Sequence, residues 1–195
     1  MAYTPKILSF AGSTRTDSFN KRLVKLAAEA ARLAGAEVTQ IDLRDMPMPL
    51  YDGDLEKAQG LPPDAKRFKQ LMIEHDGLLI SAPEYNSSIS GVLKNAIDWA
   101  SRPEPNEPPL VAFTGKVAAL MSASPGALGG LRGLVTVRSI LSNINVLVLP
   151  HQVAVAKAHE AFEEGGKLKD ARQQQAVENA AKRLVDVLRK LKTES

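Results

Sequence analysis

Cysteine is absent from all 195 residues. Disulfides, thiol nucleophiles, iron–sulfur clusters and cysteine-bound zinc are thereby excluded. Histidine is nearly as scarce, with His75, His151 and His159 as the full set. Three scattered imidazoles leave little room for a His-based metal site, and none is expected. Any redox chemistry must then be carried by a bound organic cofactor. Long apolar runs are also missing. None approaches the ~18–20 residues of a membrane span, and the opening MAYTPKILSF is too short in its apolar stretch for a secretory signal. A soluble cytoplasmic protein is expected. Charge of one sign is weak too. The formal excess is +3, which suits an anionic ligand but is too small to argue for nucleic acid.

What is present is apolar sequence, 44% against 24% charged. That supports one compact domain over residues 1–195, with a core that needs no staples. The pattern alternates strand and helix. Lys6–Ala11, Glu37–Leu43, Gly77–Ala82, Lys116–Ser122 and Val146–Ala156 read as strands. The second has interleaved polar residues, as at a sheet edge, and Pro150 marks the last as an edge or a bend. Asn20–Ala34, Asp64–His75, Gly91–Ser101, Leu128–Ser142 and Ala171–Leu191 read as helices, and Gly35 stops the first. The proline-rich stretch Met46–Pro63 reads as a long loop, and Arg102–Pro109 as a helix-breaking one. Alternation of this kind predicts an α/β fold, an open five-stranded, doubly wound parallel sheet with helices on both faces. Ligands of such sheets bind at the carboxyl ends of the strands, near the point where strand order reverses. Three loops qualify: Gly12–Asn20, Pro83–Gly91 and Ser122–Gly130.

The first loop reads Gly-Ser-Thr-Arg-Thr-Asp-Ser-Phe-Asn from Gly12 to Asn20. It is neither a dinucleotide fingerprint nor a P-loop, since the spaced glycines and the Gly-Lys-Ser/Thr are missing. Hydroxyls at Ser13, Thr14 and Ser18 and the guanidinium of Arg15 lie just ahead of a helix. A helix start offers free N–H groups and partial positive charge. These groups would hold one terminal phosphate, as in a mononucleotide. The competing reading is plain helix capping by Ser18 or Asp17. Capping needs one such side chain, not a cluster of polar groups at a strand's end.

The third strand runs into Pro83-Glu84-Tyr85-Asn86, followed by Gly91-Val-Leu-Lys-Asn-Ala-Ile-Asp98. Together with Gly12-Ser13-x-Arg15-x-x-Ser18-Phe19-Asn20, this resembles the bacterial NAD(P)H-dependent FMN reductases, the flavodoxin-like group of quinone, chromate and azo-dye reductases. The likeness extends from Lys6 to about Leu191. The resemblance implies a flavodoxin-like fold and assigns the FMN phosphate to Ser13, Arg15, Ser18 and Asn20, with backbone help from Thr14 and Phe19. It places Pro83, Glu84, Tyr85 and Asn86 along the flavin ring and ribityl chain. It brings Ala123 and Ser124 to the ring from the other side, mainly through backbone. No side chain is expected to do the catalysis, and Glu84 and Tyr85 are read as orienting groups. The implied activity is oxidation of NAD(P)H, with hydride passing through the flavin N5 to quinones, chromate, ferric complexes, azo dyes or free flavin by ping-pong kinetics. Homodimers or homotetramers are implied as well. No clear arginine cluster for the 2′-phosphate of NADPH is visible in the sequence. Trp99, Ile97 and Leu93 read as core or subunit interface, and Lys94 with Asp98 as a helical ion pair. The alternatives are a flavodoxin-type electron carrier, a receiver-like regulatory domain and a serine hydrolase. The pI near 9.1 speaks against an acidic carrier. The receiver's acidic pair and the hydrolase's Gly-x-Ser-x-Gly are both missing.

Overall fold

The computed structural model describes residues 3–193. Five strands, β1 (Lys6–Ala11), β2 (Glu37–Gln40), β3 (Gly77–Ser81), β6 (Val117–Ala123) and β7 (Leu147–Val155), form one sheet in the order β2-β1-β3-β6-β7. Every pairing in it is parallel. The order reverses between β1 and β3, so the switch point lies at their carboxyl ends. A small antiparallel hairpin, β4 (Glu84–Tyr85) with β5 (Ser88–Ile89), stands apart.

Residues alternate along the central strands, and each face feeds its own core. Ile7, Leu79, Ala119 and Met121 face α1 (Phe19–Leu33) and α7 (Ala171–Thr193). Leu8, Phe10, Ile80 and Leu120 face α3 (Pro63–Glu74), α4 (Gly91–Ala100) and α5 (Leu131–Asn143). Both faces of β3 and β6 are fully covered, which is why those segments read as unbroken apolar runs. Trp99 is completely buried and packs with Leu61 and Ala65, so of the two expectations for it the core reading holds within this chain.

The expected elements stand with ends displaced by a few residues, and three differences have physical causes. Glu37–Leu43 pairs only as far as Gln40, because Leu43–Asp45 turns into a short 3-10 helix capped by the Asp42 carboxylate. The stretch Met46–Pro63 is not all loop. Asp52 caps Asp54 and Leu55 through its side chain and opens α2 (Gly53–Gln59), which Gly60 ends at φ +73°. The loop Pro83–Gly91 contains the β4–β5 hairpin. Its central residues Asn86 and Ser87 sit at φ 50° and 64°, the type I′ geometry that matches strand twist. The edge-or-bend reading of Pro150 holds on both counts. The β6–β7 register slips between Ala118 and Leu120 opposite it, and Arg138 donates to the carbonyls of Val148, Leu149 and Pro150. A short helix, α6 (Ala158–Ala161), leads from β7 towards α7.

Candidate functional site

The three loops meet where β1, β3 and β6 end. Gly12 starts the first loop in a tight place. Its N–H donates to Ser81 O at 2.9 Å and its carbonyl accepts from Ser90 Oγ at 2.6 Å. A Cβ at this position would lie 2.9 Å from Leu93 Cβ, so only glycine lets the loop lie against α4.

Ser18 is the N-cap residue of α1, yet no side-chain cap bond forms, and no acidic side chain occupies the first turn. Neither Ser18 nor Asp17 does the capping that the competing reading required. The contrast with α2 is informative, because there Asp52 caps and Asp54 and Glu56 fill the first turn. The N-terminal field of α1 is thus uncompensated, with the hydroxyl of buried Ser18 beside it. Ser13 is buried and accepts from Arg15 N at 3.3 Å. Thr14 and Arg15 are exposed, and the Arg15 guanidinium has no carboxylate partner among the described residues. An open cleft of about 560 Å³ lies over Thr14, Arg15, Thr16, Asp17 and Arg44. This donor set fits a phosphate group: a helix start, hydroxyls and a free guanidinium, without a metal.

Asn20 has another task. Its Nδ2 donates to Ala123 O at 2.8 Å, and its Oδ1 accepts from Ala123 N at 3.0 Å and Ser81 Oγ at 2.8 Å. The carboxamide therefore ties α1 to the ends of β3 and β6, and both lone pairs of Oδ1 are used within the chain. The same bonds engage both backbone polar groups of Ala123. Ser124 is similarly occupied: its N–H donates to Val155 O and its carbonyl accepts from Ala158 N. Its Oγ accepts from Gly126 N at 3.2 Å. The expected backbone donors of this third loop are thus committed to the fold.

On the hairpin, Pro83 is buried while Tyr85 and Asn86 are exposed, Tyr85 by 51%. Glu84 does not face the opening as a free acid. It accepts from Arg132 Nε and Nη2 at 3.0 and 2.7 Å and from Gly133 N at 3.0 Å. Burial pushes its carboxyl up, but the Gly133 N–H and the Arg132 guanidinium outweigh that and hold it below the usual carboxylate range. An ionised, engaged carboxylate is a poor proton donor, which agrees with an orienting role. Glu84 in effect caps α5 across the chain and sets the hairpin against it. Gly129 and Gly130 before α5, at φ +61° and +90°, lie so close to β7 and Ser122 that any Cβ would collide.

Phe19 stacks on Phe162 at 6.3 Å between ring centroids, so what it offers at the helix start is backbone. The structure also brings in residues that carried no signal in the sequence: Ser81, Ser90, Arg132 and Arg44. Each lies far along the chain from the residue it serves, and no local spacing marks it. A cleft of about 1070 Å³ lies between α1 and α7 rather than at the strand ends, and its lining carries charges of both signs. Among the described residues no group of three His, Asp or Glu could hold a metal ion, and no helix is long and apolar enough to cross a membrane.

Comparison with known proteins agrees with this geometry. A family model described as NADPH-dependent FMN reductase matches residues 5–160. A NAD(P)H-dependent FMN reductase of Pseudomonas aeruginosa is 37% identical over 189 residues, covering 96% of this chain and 97% of its own. A quinone reductase of Pseudomonas putida is 36% identical over 160 residues, 82% of each. Among solved structures, the flavoenzyme NAD(P)H:acceptor oxidoreductase FerB of Paracoccus denitrificans superposes with a TM-score of 0.80 at 27% identity, over 96% of this chain and 98% of that one. A match running from the first strand past the last, with relatives aligned almost end to end, establishes that the chain belongs to the NADPH-dependent FMN reductase family.

Proposed function

We propose that this protein anchors FMN by its phosphate at the start of α1 and uses NAD(P)H to reduce quinones at the opening between the hairpin and the first loop. Chromate, ferric complexes, azo dyes and free flavin are further acceptors on this reading. The family supports FMN as cofactor and NAD(P)H as reductant, and the names of relatives support the quinone. The chemistry supplied by bound FMN is hydride acceptance from NAD(P)H and delivery to the acceptor.

The chain's own residues bind and position. Ser18, Ser13, Thr14 and Arg15 take the phosphate together with the first N–H groups of α1, including that of Phe19. Asn20 holds that loop to the sheet, and Glu84 holds the hairpin that carries Pro83, Tyr85 and Asn86. Ala123 and Ser124 close the site through their fixed backbone. No side chain supplies a proton on this reading, because the partly buried carboxylate of Glu84 on the hairpin is paired. Reductant and acceptor use one opening in turn, so initial-rate plots should show the parallel lines of ping-pong kinetics. The exposed apolar side chains Leu128, Leu131 and Val135 support assembly into a homodimer or homotetramer.

The observation that carries the reading is the uncapped, uncompensated start of α1 beside an unpaired arginine. The test is the visible spectrum of purified protein before and after anaerobic NADPH or NADH. A flavin band that bleaches is expected. A band that stays oxidised indicates a carrier, and a colourless chain that takes up no FMN removes the proposal. Arg15→Ala should weaken FMN binding by roughly ten- to a hundredfold while leaving the fold intact; unchanged affinity would remove Arg15 from the site.

A further inference from the structure

The cleft over the first loop contains one cation more than a flavin phosphate needs. Arg44 lies 29 residues beyond Arg15 in sequence, and folding brings both to the same 560 Å³ opening. Arg44 is held in place rather than waving in solvent. It sits in the 3-10 turn Leu43–Asp45, whose flanks Leu43 and Met46 are buried, and its Nη1 donates to Thr16 Oγ1. That hydroxyl is its only side-chain partner among the described residues, so the other N–H groups of the guanidinium remain available. Asp42, which caps this turn, is taken by Lys21 at 2.6 Å, and no ion pair joins Arg44 to Asp45 of the turn among the described residues.

A second cavity adjoins. It measures about 220 Å³ and is lined chiefly by Leu43, Met46, Met48, Val92 and Ala96, and it shares Thr14 and Arg44 with the cleft. Asn95 borders it, with its carboxamide committed to Tyr51 N and to the carbonyls of Met48 and Pro49. The slot is therefore apolar in practice, and its volume is of the order of a fused-ring base. An apolar slot opening onto an anchored guanidinium with spare donors is the arrangement a nucleoside phosphate needs: ring faces against methyl and thioether groups, phosphate against arginine.

We propose that this pair of features is the site for the adenosine 2′-phosphate of NADPH, with the base in the slot and the 2′-phosphate on Arg44. The proposal rests on the reading that FMN and NAD(P)H meet at this rim, and it makes Arg44 the residue that prefers NADPH over NADH. Arg15 keeps the flavin phosphate, and Arg44 reads the second anion.

The probe is adenosine 2′,5′-bisphosphate against adenosine 5′-monophosphate, which differ by the 2′-phosphate alone. Both are titrated calorimetrically into FMN-loaded protein. The bisphosphate should bind roughly ten- to a hundredfold tighter, the range for a charge-assisted phosphate contact. Arg44→Ala should erase that difference, leave the monophosphate and FMN affinities unchanged, and lower kcat/KM for NADPH by the same factor without touching NADH. Arg44 is exposed, so the variant should fold as the parent does. Equal affinities for the two nucleotides in the FMN-loaded parent would overturn this site while sparing the flavin reading. Loss of FMN from Arg44→Ala would also overturn it, assigning the guanidinium to the flavin phosphate. A parent chain that takes up no FMN overturns both.

Discussion

Single side chains at this site divide into those with spare bonding capacity and those without. Ser18 and Arg15 have it; Asn20 and Glu84 do not. Glu84 allows a pH test. Its carboxyl is lowered from an ordinary 4.5, so its stabilising contribution is fully present above that value and is lost as pH falls through the lower folded-state value. Glu84→Ala should destabilise by about 2 kcal/mol near neutrality, through loss of a cap and of charge-assisted bonds. The gap in melting temperature from the parent should close on acidification. A gap that stays constant down to about pH 3 would place the effect in packing rather than charge.

At the scale of elements, the carboxamide of Asn20 is where three meet. It joins the first turn of α1 to the last residues of β3 and β6. Asn20→Ala would strand the Ala123 N–H, the Ala123 carbonyl and the Ser81 hydroxyl in a buried place. Each unsatisfied group costs about 1–3 kcal/mol, so a total loss of about 3 kcal/mol or more is expected in denaturant titration. A change below about 0.5 kcal/mol, the scale of a neutral surface substitution, would show that water replaces the carboxamide. FMN affinity should fall less than in Arg15→Ala, because the phosphate donors remain. The strap that follows β2 is held in the same way, by Trp99 Nε1 and Asn95 Nδ2 donating to Pro49 O at 2.8 and 2.9 Å. Both of these residues lie in Gly91–Ser101, which read as a helix, but nothing in it announced the strap as their acceptor.

For the molecule as a whole, the two cores share one sheet, so a ligand at the strand ends stabilises both together. FMN at a hundredfold excess over its Kd should add about 2.7 kcal/mol. For a chain of this length that corresponds to a melting shift of about 5–10 °C. Riboflavin, which lacks the phosphate, should shift it much less. Equal shifts from the two would show that the start of α1 is not the anchor.

The sequence by itself determined the sheet, its parallel sense and its carboxyl-end loops, because strand burial and helix periodicity are written in residues a few places apart. It also marked Ser13, Arg15, Ser18 and the run from Pro83 to Asn86, since those clusters are contiguous. Only the tertiary structure decided which of the marked residues are free to bind. Asn20, Ala123 and Glu84 look like donors and acceptors in the chain, but residues up to 103 positions away claim them. Arg44 was silent for the opposite reason: no local pattern brings it to Arg15 until β1 and β2 pair side by side. Hydrophobic patterning is local and survives in one dimension, whereas the satisfaction of buried polar groups is settled by whichever partners the folded chain brings within about 3 Å.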